Sequence, residues 1–182
     1  MAKRSEARGE RSEAWATLAS RLDRLARALV GRGREADATD LTQTTIAKLL
    51  AGGVVPGGDS SSGVREPPPY HYARSVLVRV YLDERRSARR RVARAARWAW
   101  SRGVEEAGGS GEGAETRRAI EGALEGLTGL QRAAVTLRVV EELSYEGIAE
   151  ALGTTAPRVR SALHAARGKL RESLGAEWRD EE

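Results

Sequence analysis

The sequence predicts an all-α protein made of two small helical domains joined by a flexible linker, the C-terminal one a helix-turn-helix. Three observations carry that expectation. Apolar residues recur at three- and four-residue steps through most of the chain, with no strand-like alternation and no internal repeat. The chain is 40% hydrophobic but only 4% aromatic and lacks phenylalanine, so its cores rest on Leu, Val, Ile and Ala, which suit packed helices. A Gly- and Glu-rich stretch, 103–113, separates one group of helical segments from another.

Each element has a local cause. Ser12 can cap a helix reaching Val30, with Trp15, Leu18, Leu22, Leu25 and Leu29 on one stripe and Gly31 as its stop. Asp37 or Thr39 opens a second helix through Leu50, closed by Gly52 and Gly53. Residues 52–69 are rich in Gly, Ser and Pro and read as a loop. A third helix starts near Tyr70, carries Tyr72, Val76 and Val80 on one side, and runs to about Arg91. From Arg85 to Arg102 the chain is strongly basic, with Trp98 and Trp100 interleaved. Those tryptophans could pack on the N-terminal half, stack on bases or meet a partner. Helices resume at 114–125, 128–140, 144–152 and 155–174, and the tail from Glu177 to Glu182 is acidic. The expected domains are 12–93 and 114–175, with 94–113 between them.

Composition narrows the function. The 182 residues carry a formal net charge of +5. Lys3, Lys48 and Lys169 are the only lysines, so arginine supplies nearly all the positive charge. Its planar multi-donor head suits phosphate and guanine, and a basic balance favours a polyanionic partner. With no cysteine there is no disulfide, thiolate metal site or cysteine nucleophile. His71 and His164 lie far apart and have no ligand pattern around them, and no glycine-rich phosphate loop follows a strand. The expectation is a protein without enzymatic activity, metal, cofactor or small-molecule substrate. No apolar run approaches the ~20 residues of a membrane helix. Met1 to Arg11 lacks a secretory segment, so the expected location is the cytoplasm.

The helix-turn-helix carries the sharpest chemistry. Ser144 is an N-cap residue, Ile148, Ala149 and Leu152 face inward, and Gly153 ends the short helix. Thr155 can cap the next one, with Pro157 in its first turn, where a missing N–H costs little. Val159, Leu163, Ala166 and Leu170 form one apolar stripe. At about 100° per residue the opposite face holds Pro157, Arg158, Ser161, His164 and Gly168. Arg160, Arg167 and Arg171 flank it. Small residues at the centre allow close approach to base edges, and the arginines reach phosphates or guanine. An ordinary amphipathic helix with a solvated basic face is the plainer alternative. The capped short helix and the glycine turn before it favour DNA.

Gly126-Leu-Thr-Gly-Leu-Gln-Arg-Ala-Ala-Val, Leu143-Ser-Tyr-Glu-Gly-Ile-Ala-Glu-Ala-Leu-Gly and Arg160-Ser-Ala-Leu-His-Ala-Ala-Arg-Gly-Lys-Leu-Arg resemble the fourth region of bacterial sigma-70 family factors, specifically the extracytoplasmic-function (ECF) group. Ala38-Thr39-Asp40-Leu41-Thr42-Gln43 resembles that family's core-polymerase-binding helix. The resemblance assigns Asp40, Leu41, Gln43 and Thr44 to that contact, Thr44 standing where the family often has a carboxylate. On the helix wheel Asp40, Gln43, Thr44 and Ala47 face outward, while Ala38, Leu41, Thr45 and Leu49 face inward. Tyr72 to Arg91 resembles the promoter-melting helices, with Arg79 where the family usually has asparagine. The resemblance implies a sigma factor that binds core RNA polymerase and promoter DNA and helps open the duplex. The −35 element would meet Thr155, Arg158, Arg160, Ser161, His164, Arg167 and Arg171. The −10 element would meet Asp59 and Ser60 in the long loop, beside Gly58, together with Arg79, Arg85, Arg86, Arg89 and Arg90, with Arg91 adjoining. An anti-sigma factor is a further partner that many relatives have and that no residue pattern here specifies. A helix-turn-helix regulator acting without a sigma role is the alternative, and an RNA-binding helical protein a weaker one.

Overall fold

A computed structural model describes residues 2–51, 66–98 and 120–174, with side chains described for 9–51, 66–88 and 120–174. Within these residues every regular element is a helix. They are α1 (Ala2–Val30), α2 (Glu35–Ala51) and α3 (Tyr70–Trp98), then α4, described over 120–125, then α5 (Gly129–Val139), α6 (Tyr145–Leu152) and α7 (Ala156–Leu174). α1 begins ahead of the Ser12 start expected from sequence. α3 runs past Arg91 to Trp98, so residues 94–98, expected to begin the linker, are helical. The loop residues Gly58, Asp59 and Ser60, Trp100, the stretch 103–113 and the acidic tail lie outside the described residues.

In the N-terminal half, α1, α2 and α3 pack on one another. Leu18, Leu22, Leu25 and Leu29 are all buried, as their spacing requires. Full burial of each such side chain is worth about 1.5–3 kcal/mol. α1 ends at Gly31, whose φ of +92° is left-handed and whose N–H closes on the Arg27 carbonyl at 2.9 Å. α2 puts two threonines in the core. Their hydroxyls donate back to the Ala38 carbonyl at 2.9 Å (Thr42) and the Leu41 carbonyl at 2.7 Å (Thr45), which satisfies them without water.

The C-terminal half is built on local signals. Thr128 caps α5 in a reciprocal capping box. Its hydroxyl accepts from the Gln131 N–H at 3.3 Å, and its own N–H donates to Gln131 Oε1 at 2.9 Å. α6 is capped by Ser144, which accepts from the Gly147 N–H at 3.1 Å. It ends at Gly153, with φ 61° and ψ 43°. The helices α5, α6 and α7 pack on each other around Leu137, Ile148, Val159 and Leu163.

α3 differs from the sequence expectation. Of the expected stripe only Val80 is buried, whereas Tyr72 is 44% exposed. The buried set is Ala73, Leu77, Val78, Val80, Tyr81 and Leu82, which wraps more than one side of the helix. The reason is that α3 has neighbours on two flanks. It packs on α1 and α2, and also on α5 and α6. The apolar residues of both halves therefore form one continuous cluster.

Candidate nucleic-acid interface

The α6–turn–α7 unit presents its reading surface as its caps dictate. Gly153 in the left-handed conformation turns the chain, with the Thr154 N–H donating to the Ala149 carbonyl at 2.9 Å. α7 then lays Val159, Ala162, Leu163 and Ala166 into the core. Thr155, Arg158, Arg160, Ser161, His164, Arg167 and Arg171 are all exposed, so the structure brings every sequence-predicted residue of this face together on one helix and its lead-in. The Ser161 hydroxyl donates to the Pro157 carbonyl at 3.1 Å and keeps its lone pairs outward. Lys169 Nζ donates to the Gly126 carbonyl at 3.1 Å, tying α7 to the turn before α5.

Two neighbours of this surface were not read from sequence. The guanidinium carbons of Arg138 on α5 and Arg160 on α7 each lie 5.6 Å from the Tyr145 ring centroid. Cation–π attraction of this kind orients an exposed arginine without neutralising it. Arg138 also donates to the Leu143 carbonyl at 2.8 Å, bracing the chain before Ser144. An aromatic at the start of α6 is the only signal of this arrangement in the sequence.

The α3 candidates are placed less uniformly. Arg79 and Arg86 are exposed, and Arg86 pairs with Asp83 at 3.3 Å in the open, where such a pair contributes little. Arg85 is half-buried, its stem against Gly129 of α5 and its guanidinium 5.9 Å from the Tyr81 ring centroid. The side chains of Arg89, Arg90 and Arg91, like the loop residues Asp59 and Ser60, lie outside the described residues.

On α2, Asp40 and Gln43 are exposed and Thr44 is half-buried. Leu41 is 1% exposed and packs in the core, which corrects its assignment to the polymerase contact. A side chain so enclosed supports the helix from beneath and has no surface to offer a partner. Among the described residues no cluster of His, Cys, Asp or Glu suits a metal ion. No described helix is long and apolar enough to cross a membrane.

A capped short helix, a left-handed glycine turn and a second helix with an open basic face have the geometry of the helix-turn-helix class. Residues 117–170 match the family described as Sigma-70, region 4. That stretch is similar to sigma-70 region 4 domains, in keeping with the resemblance read from the sequence. In fold the chain is similar to the sigma factor RpoE from Bartonella quintana, solved as a co-crystal with the anti-sigma factor NepR. The identity is 21%, the match covers 91% of this chain and 97% of that chain, and the TM-score is 0.58. No curated protein matches the chain by sequence.

Proposed function

We propose that this chain is a sigma factor of the extracytoplasmic-function group, working in the cytoplasm to start transcription. It binds core RNA polymerase through the outward face of α2, with Asp40, Gln43 and Thr44. It reads a −35 element with α7 and engages a −10 element with α3 and the loop before it. The observation that carries this reading is the open face of α7 on a region 4 domain. The Bartonella protein was captured with an anti-sigma factor, which supports including a partner of that kind here.

Its mechanism is physical and needs no catalytic group. Arginines neutralise phosphates and release counterions, which gives salt-sensitive affinity. Arg158, Ser161 and His164 face the groove and supply base contacts. Carrying both halves on polymerase makes the second contact intramolecular and raises its effective concentration. Basic side chains that hold unpaired strand shift the opening equilibrium without any covalent step.

In vitro transcription with core polymerase on a genomic library tests the whole reading. Start sites should share upstream sequence, and failure to associate with core polymerase would overturn the sigma reading and favour the regulator alternative. Arg160→Ala and His164→Ala should each weaken binding to −35-type duplex. Replacing Asp40 and Gln43 with arginine should reduce polymerase binding while the fold is kept.

A further inference from the structure

We propose that Tyr81, Arg85 and Arg132, with Arg34 at the rim, form a binding site for a small oxyanion of the phosphate class. The inference stands on these side chains and their surroundings and does not need the sigma reading above.

Separate elements bring the groups together. On α3, Tyr81 and Arg85 stand one turn apart on the same flank. The Arg85 guanidinium lies 5.9 Å from the Tyr81 ring centroid. The stem of Arg85 runs against α5, where a Cβ on Gly129 would lie 3.4 Å from the Arg85 Cβ. Arg132 follows Gly129 by one turn, on the same side of α5. Its guanidinium rests on the end of α1, because a Cβ on Gly31 would stand 2.5 Å from Arg132 Nη2. Arg34 lies just beyond that glycine, exposed and paired with Asp37 at 2.6 Å. Arg85, Arg132 and Arg34 all act electrostatically on the Tyr81 phenol.

The floor of this cluster is made of donors. Arg132 is 4% exposed and Tyr81 is 2% exposed. Arg132 Nε and the Tyr81 hydroxyl are buried without a hydrogen-bond partner among the described residues. An unpaired buried donor is costly, and proteins normally meet one with a polar group, a water or an ion. The guanidinium has no acceptor to offer. The phenol stays protonated, because burial holds its pKa above the ordinary range against the pull of the arginines. Both floor groups therefore present hydrogens to whatever enters from the rim, where Arg34 is exposed and Arg85 half-buried.

Charge selects the ligand. Among the described residues neither Arg85 nor Arg132 forms an ion pair. Burial lowers the proton affinity of Arg132, and Arg85 and Arg34 push the same way, opposed by Tyr81 and the exposed Glu125. The C-terminal end of α1 gives Arg132 only a partial negative charge. A water would satisfy one donor and leave the positive potential standing. Chloride would balance charge without matching the directions of the donors. A phosphate does both, since its oxygens accept from the phenol, from Nε–H and from the planar arginine forks at once. The enclosure of Tyr81 and Arg132 favours a small free anion over the backbone of a duplex.

Calorimetric titration of the full-length protein with inorganic phosphate, at an ionic strength fixed with sodium chloride, tests the site. Phosphate should bind saturably at one site per chain and raise Tm above that in chloride alone. Tyr81→Phe keeps the ring and removes the donor, and should weaken binding about threefold to tenfold. Arg85→Gln should weaken it about tenfold or more. Arg132 is so enclosed that Arg132→Met can cost the fold, so the first two variants decide. Arg167→Gln, on the open face of α7, should bind phosphate as the wild type does. Absence of saturable binding, or a Tm response that chloride matches, would overturn the site. Affinity unchanged in both Tyr81→Phe and Arg85→Gln, or lost in Arg167→Gln, would put the phosphate elsewhere and overturn the assignment. Adenosine triphosphate titrated in parallel separates two sources of the same chemistry. If it binds more tightly than phosphate and the same variants weaken it, the site takes a nucleotide's phosphates; if it binds no better, the site takes the free anion, and either result upholds the cluster as the site.

Discussion

α3 and α7 are both long arginine-rich helices carrying candidate DNA contacts, yet they meet the rest of the molecule differently. α7 rests one stripe, Val159, Ala162, Leu163 and Ala166, against its own half and leaves the opposite side open. α3 buries Ala73, Leu77, Val78, Val80, Tyr81 and Leu82 between two sets of neighbours. One-sided packing leaves a broad face for a groove. Two-sided packing leaves a narrow strip, here occupied by Arg79, Asp83 and Arg86. The candidate DNA contacts of α7 are therefore open to solvent, whereas Arg85 of α3 is already part of an internal junction.

That contrast can be broken most directly in the core of α3. Leu77 is 0% exposed, and Leu77→Ala should cost about 2–5 kcal/mol in chemical denaturation. His164→Ala on the open face of α7 should stay within about 0.5 kcal/mol. Equal losses would erase the difference between the two helices. A smaller effect concerns the turn that aims α7. With φ +61° at Gly153, Gly153→Ala should cost roughly 1–2 kcal/mol and weaken duplex binding with it. If stability and binding both survive, the left-handed turn does not set the reader's angle.

The junction between the halves has a pH signature. Burial first, then the bond to Glu141, pushes the Tyr70 phenol far above its ordinary range. A raised folded pKa gives stability that is complete below the unfolded value, about 10, and is lost as pH rises beyond it. Wild type should therefore lose melting temperature more steeply than Tyr70→Phe between about pH 9.5 and 11. Parallel curves would mean that this phenol is not held neutral by folding. The smallest expected change lies next to Glu141. Glu142 has φ 51°, a left-handed conformation that favours glycine. Glu142→Gly should stabilise by about 0.5–1 kcal/mol, sharpening the role of this turn in placing its neighbour.

Ser144, Gly153, Pro157 and the Val159–Leu163–Ala166 stripe made the helix-turn-helix legible, because each acts within one or two turns of chain. The Thr128–Gln131 capping box was equally local and could have been read the same way. Leu41 shows the limit of a motif. The wheel places it inward, the family resemblance places it in a contact, and packing sides with the wheel. Tyr72 fails for another reason: periodicity can choose one buried side of a helix, but it cannot announce a second neighbour. The Tyr70–Glu141 bond spans 71 positions, and nothing near either residue marks its partner.

Sequence by itself determined the all-α character, the caps and turns of the C-terminal half and the basic face of α7, since these follow from short-range hydrogen bonding and helical period. Only the tertiary structure decided that α3 is shared by both halves, that Arg132 seats on Gly31, and that one carboxylate in a turn closes the start of α3. Those features depend on chain segments meeting across long separations, where burial and charge are settled by what packs opposite.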